Sequence, residues 1–475
     1  MGIRILIFTP SKTKVKTQFS YIQIPSFSGI WFRNEKALVF FTSRIFDAAR
    51  DFEGKLKIQS VLLIILLFIS SGLVSQTVLA TDTSVVKVVD AMDVLRKVFK
   101  TKPKPEPDLS APTLSFLPVI GYNPSFGAVL GFNAVMGRQF GNPANTTYSV
   151  YTLGLTYGSK GILTGQLRHN IFKPGNTWNW QGNYQISAYG LVDYGLGTGN
   201  TASCYSGFNI NDLPTTEGDS SFPVKYKYLR LFEKGYRKIA PHIYLGAGLS
   251  FDIYRNIDDL KLTDTFSTPS YRYNLKHGFD PENYSANGIL LAFQFNTREH
   301  PIRSYGGIYF DLSVRFNQKW MGSSRNSIRL QYDFRKYWSL STRNPEHVLA
   351  IWHWASYDIG GVLPYLEMPA TGTDTYNRSG RAYTIGYFRG PSYAYFETEY
   401  RYPITRNKLI SGVIFVNAQT AGDDAGKSVY TGWNFGGGAG LRVLFQKKSR
   451  SALCIDFSKG DCGSSGIFFG LNEVF

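Results

Sequence analysis

One short stretch of this sequence carries charged side chains at a spacing that could do chemistry. In YFETEYRYP, the two-residue period of a β-strand places Glu397, Glu399 and Arg401 on one face, so two carboxylates and a guanidinium lie side by side. Just before it, FRGP joins Arg389 to Gly390, where glycine allows a sharp bend and arginine offers a bidentate fork. The spacing predicts that Arg389 folds back to pair with Glu397 or Glu399 and locks a loop in place.

Enzymatic chemistry has little support elsewhere in the chain. No Gly-x-Ser-x-Gly, His-Glu-x-x-His or phosphate-binding loop occurs. Glu397 and Glu399 could serve as an acid and a base, but an ion pair with arginine explains them better. His353 lies between two tryptophans, which favours a packed or girdle position over catalysis. The histidines are scattered at 169, 242, 277, 300, 347 and 353. We therefore expect no enzymatic activity, no cofactor and no metal site.

From Thr113 onward, stretches of about ten residues alternate aliphatic or aromatic side chains with glycine, amide, hydroxyl or charged ones, and each would suit one tilted membrane strand. The predicted strands are 114–122, 128–140, 148–158, 162–172, 177–190, 225–238, 242–254, 286–296, 308–320, 327–340, 348–359, 394–404, 410–420, 430–445, 451–458 and 466–475. An even number of strands can close without an edge. The sequence therefore predicts an all-β, antiparallel transmembrane β-barrel of about 16 strands over 113–475. A soluble sandwich or propeller is the lesser alternative.

The first 112 residues carry other signals. An apolar run that begins at Val61, with lysines before it and small residues after it, is typical of a secretory signal peptide, which we assign to 55–80. We interpret 1–54 as the result of a start codon placed too early; a long n-region and an uncleaved anchor are the alternatives. Residues 81–112 then form a short amphipathic periplasmic helix and a Pro-rich linker. The apolar positions of the helix are Val85, Val88, Val89, Met92, Leu95 and Phe99. Such a helix packs on a neighbour or docks at a barrel mouth.

Composition excludes two other classes of protein. A helical membrane bundle needs repeated apolar runs of about 20 residues, and only the run at Val61 comes close. A nucleic-acid-binding protein clusters its basic residues, whereas here the Lys and Arg behind the net charge of +17 recur beside short turns, so we expect no nucleic acid partner. Three cysteines allow at most one bridge. Cys454 and Cys462 could pair across a hairpin, leaving Cys204 in a polar loop, or could stay unpaired.

Several of these segments resemble the outer-membrane insertion superfamily of BamA and TamA, also called bacterial surface antigens. FRGP is similar to the family's sixth-loop signature at Arg389 and Gly390, although its flanking residues differ. NTREHPIRSYGG resembles the family's Asp-Thr-Arg-Asp turn, with Asn296 for the first Asp. FVNAQ resembles the strand motif that faces the loop arginine, with Asn417 in place of a carboxylate. The resemblance covers 113–475 and implies a barrel of the insertion or translocation type, here lacking POTRA domains.

The final stretch, GIFFGLNEVF, resembles the family's terminal strand, which the assembly machinery reads as an insertion signal. The residues predicted to share its signal face are Ile467, Phe469, Leu471 and Phe475. A weak seam between the first and last strands would let a client strand pair there. Pro118 removes a ladder donor from the first strand, and Gly466 and Gly470 loosen the last. The alternative is that Pro118 has no such role and occurs there only because an edge strand tolerates proline.

These features together predict an integral protein of the bacterial outer membrane that helps to insert or translocate proteins or lipids. Its expected partners are outer-membrane lipids including lipopolysaccharide, client outer-membrane proteins, and the machinery that inserts the barrel itself. The alternative is a passive or substrate-selective channel of the porin type. An open porin should conduct steadily in a planar bilayer, whereas a barrel plugged by a locked loop should give small, flickering currents.

Overall fold

Alternating polar and apolar residues form sixteen strands that join in one antiparallel sheet. The computed structural model describes residues 88–100, 112–123, 127–199, 221–447 and 449–475. All of them belong to one unit, Gln76–Phe475. Residues 1–54, the predicted signal peptide at 55–80 and Cys204 lie outside the described residues.

Each strand pairs with its neighbours in sequence, so the strand order runs from β1 to β16 without a crossover and the sheet is barrel-like. The strands are β1 Thr113–Asn123, β2 Gly127–Arg138, β3 Ser149–Gly158, β4 Ile162–Phe172, β5 Trp178–Asp193, β6 Phe222–Ala240, β7 Ile243–Asp259, β8 Tyr284–Asn296, β9 Gly307–Asn317, β10 Ser327–Ser339, β11 Val348–Gly361, β12 Ser392–Pro403, β13 Ile410–Ala421, β14 Asn434–Gln446, β15 Ser451–Gly460 and β16 Ser465–Leu471. The predicted all-β antiparallel architecture and the number of strands are confirmed. The main differences in bounds are that β5, β6 and β7 extend further and that β16 ends earlier.

The two faces of the sheet have opposite character. On the inner face of β9, Asp311, Ser313 and Arg315 are buried. The outer face exposes large apolar side chains, which we call the outer belt: Phe116, Leu130, Leu153, Leu163, Ile186, Leu249, Leu291, Ile414, Val416, Phe435, Phe457 and Phe469. A polar interior beneath an apolar exterior is the reverse of a soluble domain and is the pattern of a strand that faces lipid.

The connections differ between the two ends of the sheet. The turn end carries the connections that follow even-numbered strands, which are two to ten residues long: 139–148, 173–177, 241–242, 297–306, 340–347, 404–409 and 447–450. The loop end carries the three longest connections, 194–221, 260–283 and 362–391. This asymmetry is the one expected of an outer-membrane barrel.

Two short α-helices accompany the strands in the described part of the chain. Helix α1, Ala91–Val98, starts at a capping box in which Asp90 and Asp93 each accept the other's main-chain N–H. It occupies the second half of the predicted amphipathic segment. Helix α2, Pro269–Lys276, lies in the connection between β7 and β8. Neither helix, within the residues described, is long and apolar enough to cross a membrane.

Candidate functional site inside the barrel

The connection between β11 and β12, residues 362–391, folds against the inner face of the sheet, and we call it the inner loop. Its two legs pair with each other, since Thr371 N donates to Phe388 O over 2.8 Å and Gly386 N donates to Thr371 O over 2.8 Å. Its tip reaches the opposite wall, where Asn183 Nδ2 of β5 donates to Thr375 O over 3.0 Å. Most of its residues are buried. The inner loop therefore lies within the lumen.

Arg381 of the inner loop contacts three buried carboxylates of the wall. Its guanidinium pairs with Glu397, with Glu399 at 2.5 Å and with Asp456 at 3.3 Å. It also lies 3.6 Å from the centre of the Phe415 ring. The structure thus corrects the predicted pairing: the loop arginine that contacts Glu397 and Glu399 is Arg381. The sequence offers three arginines in this loop, at 378, 381 and 389, and only the path of the chain decides which one reaches β12.

Arg389 instead closes the base of the inner loop. Its Nη1 donates to the main-chain oxygens of Tyr365, Leu366 and Met368 at 3.3, 3.0 and 3.2 Å. Its Nε lies 3.9 Å from Oδ1 of Asp193, at the end of β5. Two of these carbonyls belong to the 3-10 turn Tyr365–Glu367 and the third to Met368 just after it, where carbonyl groups at the end of a helical turn need donors. The arginine is therefore fully buried without touching the carboxylates of β12 that were predicted for it.

Glycine is required at position 390 because the main chain of another segment passes close to it, and not because the chain bends there. A Cβ added there would overlap the main-chain oxygen of Gly422, which begins the connection after β13. Asn417 lies on the inner face of β13, and its Nδ2 donates to Arg381 O over 2.9 Å. Two residues further along the same face of β13, Gln419 Oε1 accepts from Thr371 Oγ1 over 2.7 Å. The side-chain amides of Asn417 and Gln419 therefore bind uncharged groups of the inner loop. A carboxylate at either position would add a negative charge there.

Glycines on the inner face of β14 leave room for the inner loop. At Gly436 a Cβ would come within 3.2 Å of the Tyr383 ring, and at Gly440 it would overlap Oδ1 of Asp456. Sequence reasoning missed these positions. The signal was the run GGGAG, which spaces glycines two residues apart on one face of a strand.

The segment after β16, Asn472–Phe475, turns into the lumen, and we call it the tail. Asn472 has φ +72, which ends the alternation of the strand. Phe475 is buried, and its ring centre lies 5.3 Å from that of Trp352 on β11. Ile467 and Phe469 are exposed on the outer belt as predicted for that face, but Phe475 does not share it. The prediction that strand β16 runs to Phe475 is wrong. The strand ends at Leu471, because Asn472 has a left-handed backbone conformation and the chain turns there.

The tail is held by buried charges. Glu473 accepts from Arg442 Nε over 2.7 Å and lies 3.4 Å from Arg303 Nε. Its main-chain oxygen accepts from Arg378 Nη1 of the inner loop over 2.7 Å. Arg401 Nη2 donates to the oxygen of Phe475 over 2.7 Å. The tail therefore bridges two strands, one turn and the inner loop.

One continuous cluster links the inner loop to the tail, and we call it the lumen cluster. It balances four guanidinium groups against four carboxylates: Arg303, Arg381, Arg401 and Arg442 with Glu397, Glu399, Asp456 and Glu473. Arg442 is central because it pairs with Asp456 at 2.6 Å as well as with Glu473. Removing one partner of a buried pair leaves an uncompensated charge and costs about 3–5 kcal/mol. The cluster therefore fixes the loop and the tail as a unit.

The turn 297–306 positions Arg303 for this cluster. His300 Nδ1 accepts from the main-chain N–H groups of Ile302 and Arg303 at 3.2 and 3.3 Å. Burial, together with the nearby positive charges of Arg450 and Arg298, lowers the pKa of His300 to about 3. The imidazole is therefore neutral at pH 7, which leaves Nδ1 free to accept.

The residues predicted to form the seam lie at the two ends of the strand order. Pro118 is in β1 opposite Phe132, and Gly466 and Gly470 are in β16 opposite Ser458 and Cys454. The ladder between β15 and β16 has seven residue pairs, the fewest of the ladders described. The last strand is therefore held by few ladder bonds, and the tail adds the polar contacts described above.

The cysteines do not pair as proposed. Cys454 is a buried free thiol on the inner face of β15, and its Sγ lies 3.0 Å from the oxygen of Asn472. Cys462 is disulfide-bonded. The bridge between Cys454 and Cys462 is therefore wrong, because the side chain of Cys454 turns inward, toward the start of the tail. Within the described residues, no three His, Cys, Asp or Glu side chains are grouped to hold a metal ion.

Fold and site together define a sixteen-stranded barrel-like sheet whose lumen holds a folded loop. Neither a family model nor a curated protein matches the chain. Among solved structures it is similar to BamA from Haemophilus ducreyi lacking POTRA domains 1–3, with 13% identity, coverage of 76% of this chain and 69% of that one, and a TM-score of 0.45.

It is also similar to CdiB from Escherichia coli, at 10% identity and a TM-score of 0.47 over 77% of this chain and 62% of that one. OccK10 (OpdN) from Pseudomonas aeruginosa has 9% identity and a TM-score of 0.28, and the match covers 76% of this chain and 96% of that one. The chain spans about three fifths of the CdiB chain. These likenesses are confined to the fold.

Proposed function

We propose that this chain is an integral barrel of the bacterial outer membrane. The outer belt supports this location, because exposed Leu, Phe and Ile side chains on one face of a barrel-like sheet are stable in lipid and not in water. Charged groups of the inner face pair with one another or with the inner loop, as in the lumen cluster. Outer-membrane lipids, including lipopolysaccharide, are then its immediate neighbours.

Within that membrane, we propose that the barrel acts in the insertion or translocation of proteins or lipids. The observation that carries this proposal is the ladder between β15 and β16, which has seven residue pairs and is the shortest of the ladders described. β1 and β16 are the two ends of the strand order, and their outer edges are ones to which a client strand can pair. Meanwhile the inner loop and the lumen cluster would keep the lumen blocked.

Two groups of partners follow from this proposal. Client outer-membrane proteins would add strands at the seam, where Pro118 and Gly470 weaken the ladder. The cell's own assembly machinery would recognise the outward residues Ile467 and Phe469 when the barrel is first inserted. The resemblance of FRGP and FVNAQ to the BamA and TamA superfamily supports the same type of activity.

Depletion of the protein tests the proposal directly. We expect the abundance of one or more outer-membrane proteins, or the amount of surface lipid, to fall before growth changes. Quantitative profiling of isolated outer membranes measures both. An unchanged membrane composition together with reduced uptake of small solutes would contradict the proposal and favour a channel.

The channel is retained as a second candidate because of a polar cavity beside the inner loop. Its lining includes Arg230, Lys234, Arg315 and Arg329 from the wall and Thr375 from the loop tip. Such a cavity could pass or select small anions. In planar bilayers, steady conductance by the wild-type protein would favour this candidate, and small flickering currents would favour a plugged barrel.

A further inference from the structure

Helix α1 turns its polar face toward the barrel. Val89 N, just before the helix, donates to Asn407 O over 3.0 Å. Asp90 Oδ2 accepts from Lys447 N over 3.1 Å, and Lys447 Nζ lies 2.9 Å from Asp93 Oδ2. Asn407 and Lys447 belong to two successive connections of the turn end. The helix is therefore attached to the turn end by its polar residues.

The opposite face of α1 is apolar and uncovered by the described residues. With about 3.6 residues per turn, Met92, Val94, Leu95, Val98 and Phe99 share one half of the helix surface. Their exposed fractions are 36, 39, 45, 67 and 71%. A continuous apolar face of this kind is unfavourable in water and marks a surface that binds something apolar.

The surroundings of α1 indicate lipid as the occupant. Ile404 and Leu453, which are 51 and 38% exposed, lie at the two connections that hold the helix, where the outer belt begins. Arg96 and Lys97 follow one another on the helix and fall on the two borders of its apolar face. Cationic borders beside an apolar face are typical of helices that lie in the plane of a lipid interface, because the cations meet phosphate groups.

We propose that α1 lies in the lipid leaflet adjoining the turn end, with Val94, Leu95, Val98 and Phe99 among the acyl chains. Arg96 and Lys97 contact the phosphate groups, and the links of Asp90 and Asp93 to Lys447 keep the helix beside the barrel. The inference rests on the proposed membrane location of the barrel. It gives residues 88–100 a surface role and keeps them out of the lumen.

Fluorescence quenching in reconstituted protein tests this. The full chain carrying Val98→Cys is labelled with bimane and placed in phosphatidylethanolamine and phosphatidylglycerol vesicles whose acyl chains are brominated. Cys454 is buried and Cys462 is disulfide-bonded, and the unsubstituted chain taken through the same labelling measures any background from the native cysteines. A chain with Lys97→Cys is the matched control on the same helix. We expect about twofold more quenching by brominated lipid at Val98 than at Lys97.

A third label separates the two proposals. Leu249→Cys lies on the outer belt, so its bimane is quenched by brominated lipid if the barrel spans the bilayer. Quenching at Leu249 with none at Val98 would overturn the inference and leave the membrane location standing. A label at Val98 that is quenched by aqueous iodide, or shielded from both quenchers by other protein, also overturns it. Absence of lipid quenching at Leu249 would overturn the membrane location itself.

Discussion

Arg442 of β14 holds Glu473 of the tail through a hydrogen bond of 2.7 Å between Nε and Oε2. The same guanidinium pairs with Asp456 on β15. Because all three groups are buried, the tail depends on this arginine for charge balance as well as for position.

Replacing Arg442 by alanine should lower the free energy of unfolding by about 3 kcal/mol, because Glu473 and Asp456 lose a buried partner. Urea unfolding of the refolded protein in detergent, followed by tryptophan fluorescence, measures the change. Lys276→Ala is the matched control, since its pair with Asp424 is partly exposed and is worth about 0–1 kcal/mol. Equal effects of the two variants would contradict the importance of the lumen cluster.

Arg381→Ala should release the inner loop and raise the conductance of single barrels in planar bilayers, with increased sensitivity of cells to large antibiotics. Three carboxylates lose their shared partner in this variant. Arg381→Lys keeps the charge but loses the bidentate geometry, so we expect an intermediate conductance. Arg389→Ala removes three carbonyl contacts at the loop base and should act more weakly on conductance than Arg381→Ala. If neither arginine changed the current, the inner loop would not be what blocks the lumen.

Gly440→Ala should destabilise the barrel by about 1–3 kcal/mol, because the new Cβ overlaps Asp456 beside Arg442. Gly306→Ala is the control, since a Cβ there meets no atom within 4 Å. The midpoint of heat-dependent gel mobility reports the difference. A Gly440 variant as stable as the control would mean that β14 can move away from the cluster.

Acid should weaken the turn that carries His300. Its folded-state pKa of about 3 lies below the ordinary value of 6.5, and burial is the main cause. Above pH 6.5 both the folded and the unfolded chain hold a neutral imidazole, so the stability contribution is complete. Between pH 6.5 and 3 the unfolded chain takes up a proton that the folded chain refuses, and stability falls by about 1 kcal/mol per pH unit.

Urea midpoints at pH 7.5 and 5.0 measure this effect. His300→Gln should remove most of the difference between the two pH values, whereas His242→Gln, at an exposed position, should not. A His300→Gln variant with the wild-type pH dependence would assign the titration to another group.

The strands were predictable because their signal is local. Alternation with a period of two depends only on which face a residue occupies, and in IYFDLSVRFNQ that pattern is unbroken. The sequence predicted a long loop between β11 and β12, but it did not predict which residues of the loop contact the wall of the barrel. Nothing in the local sequence distinguishes the partners of Arg381 from those of Arg389. Arg381 contacts β12 and Arg389 contacts the loop base because of the three-dimensional path of the chain between them.

The tail shows why the end of a strand is harder to predict than its middle. Leu471 and Phe475 keep the phase of Ile467 and Phe469, so the sequence predicts a strand to Phe475 even though Glu473 falls on the same face. The turn at Asn472 is fixed by partners from four distant segments, among them Arg303, Arg378 and Arg442. None of these contacts has a local signature. The free thiol of Cys454 was misassigned for the same reason, since its neighbour is the tail and not the nearby Cys462.

The link from Arg378 of the inner loop to the oxygen of Glu473 also imposes an order on assembly. The tail is the last part of the described chain, and it can complete its contacts only when the loop between β11 and β12 is already in the lumen. A barrel that closed around an empty lumen would leave Glu473 with fewer donors and Phe475 with fewer neighbours. The tail therefore docks fully only when the lumen is filled. Its contacts make a barrel that holds the inner loop more stable than a barrel that closes without it.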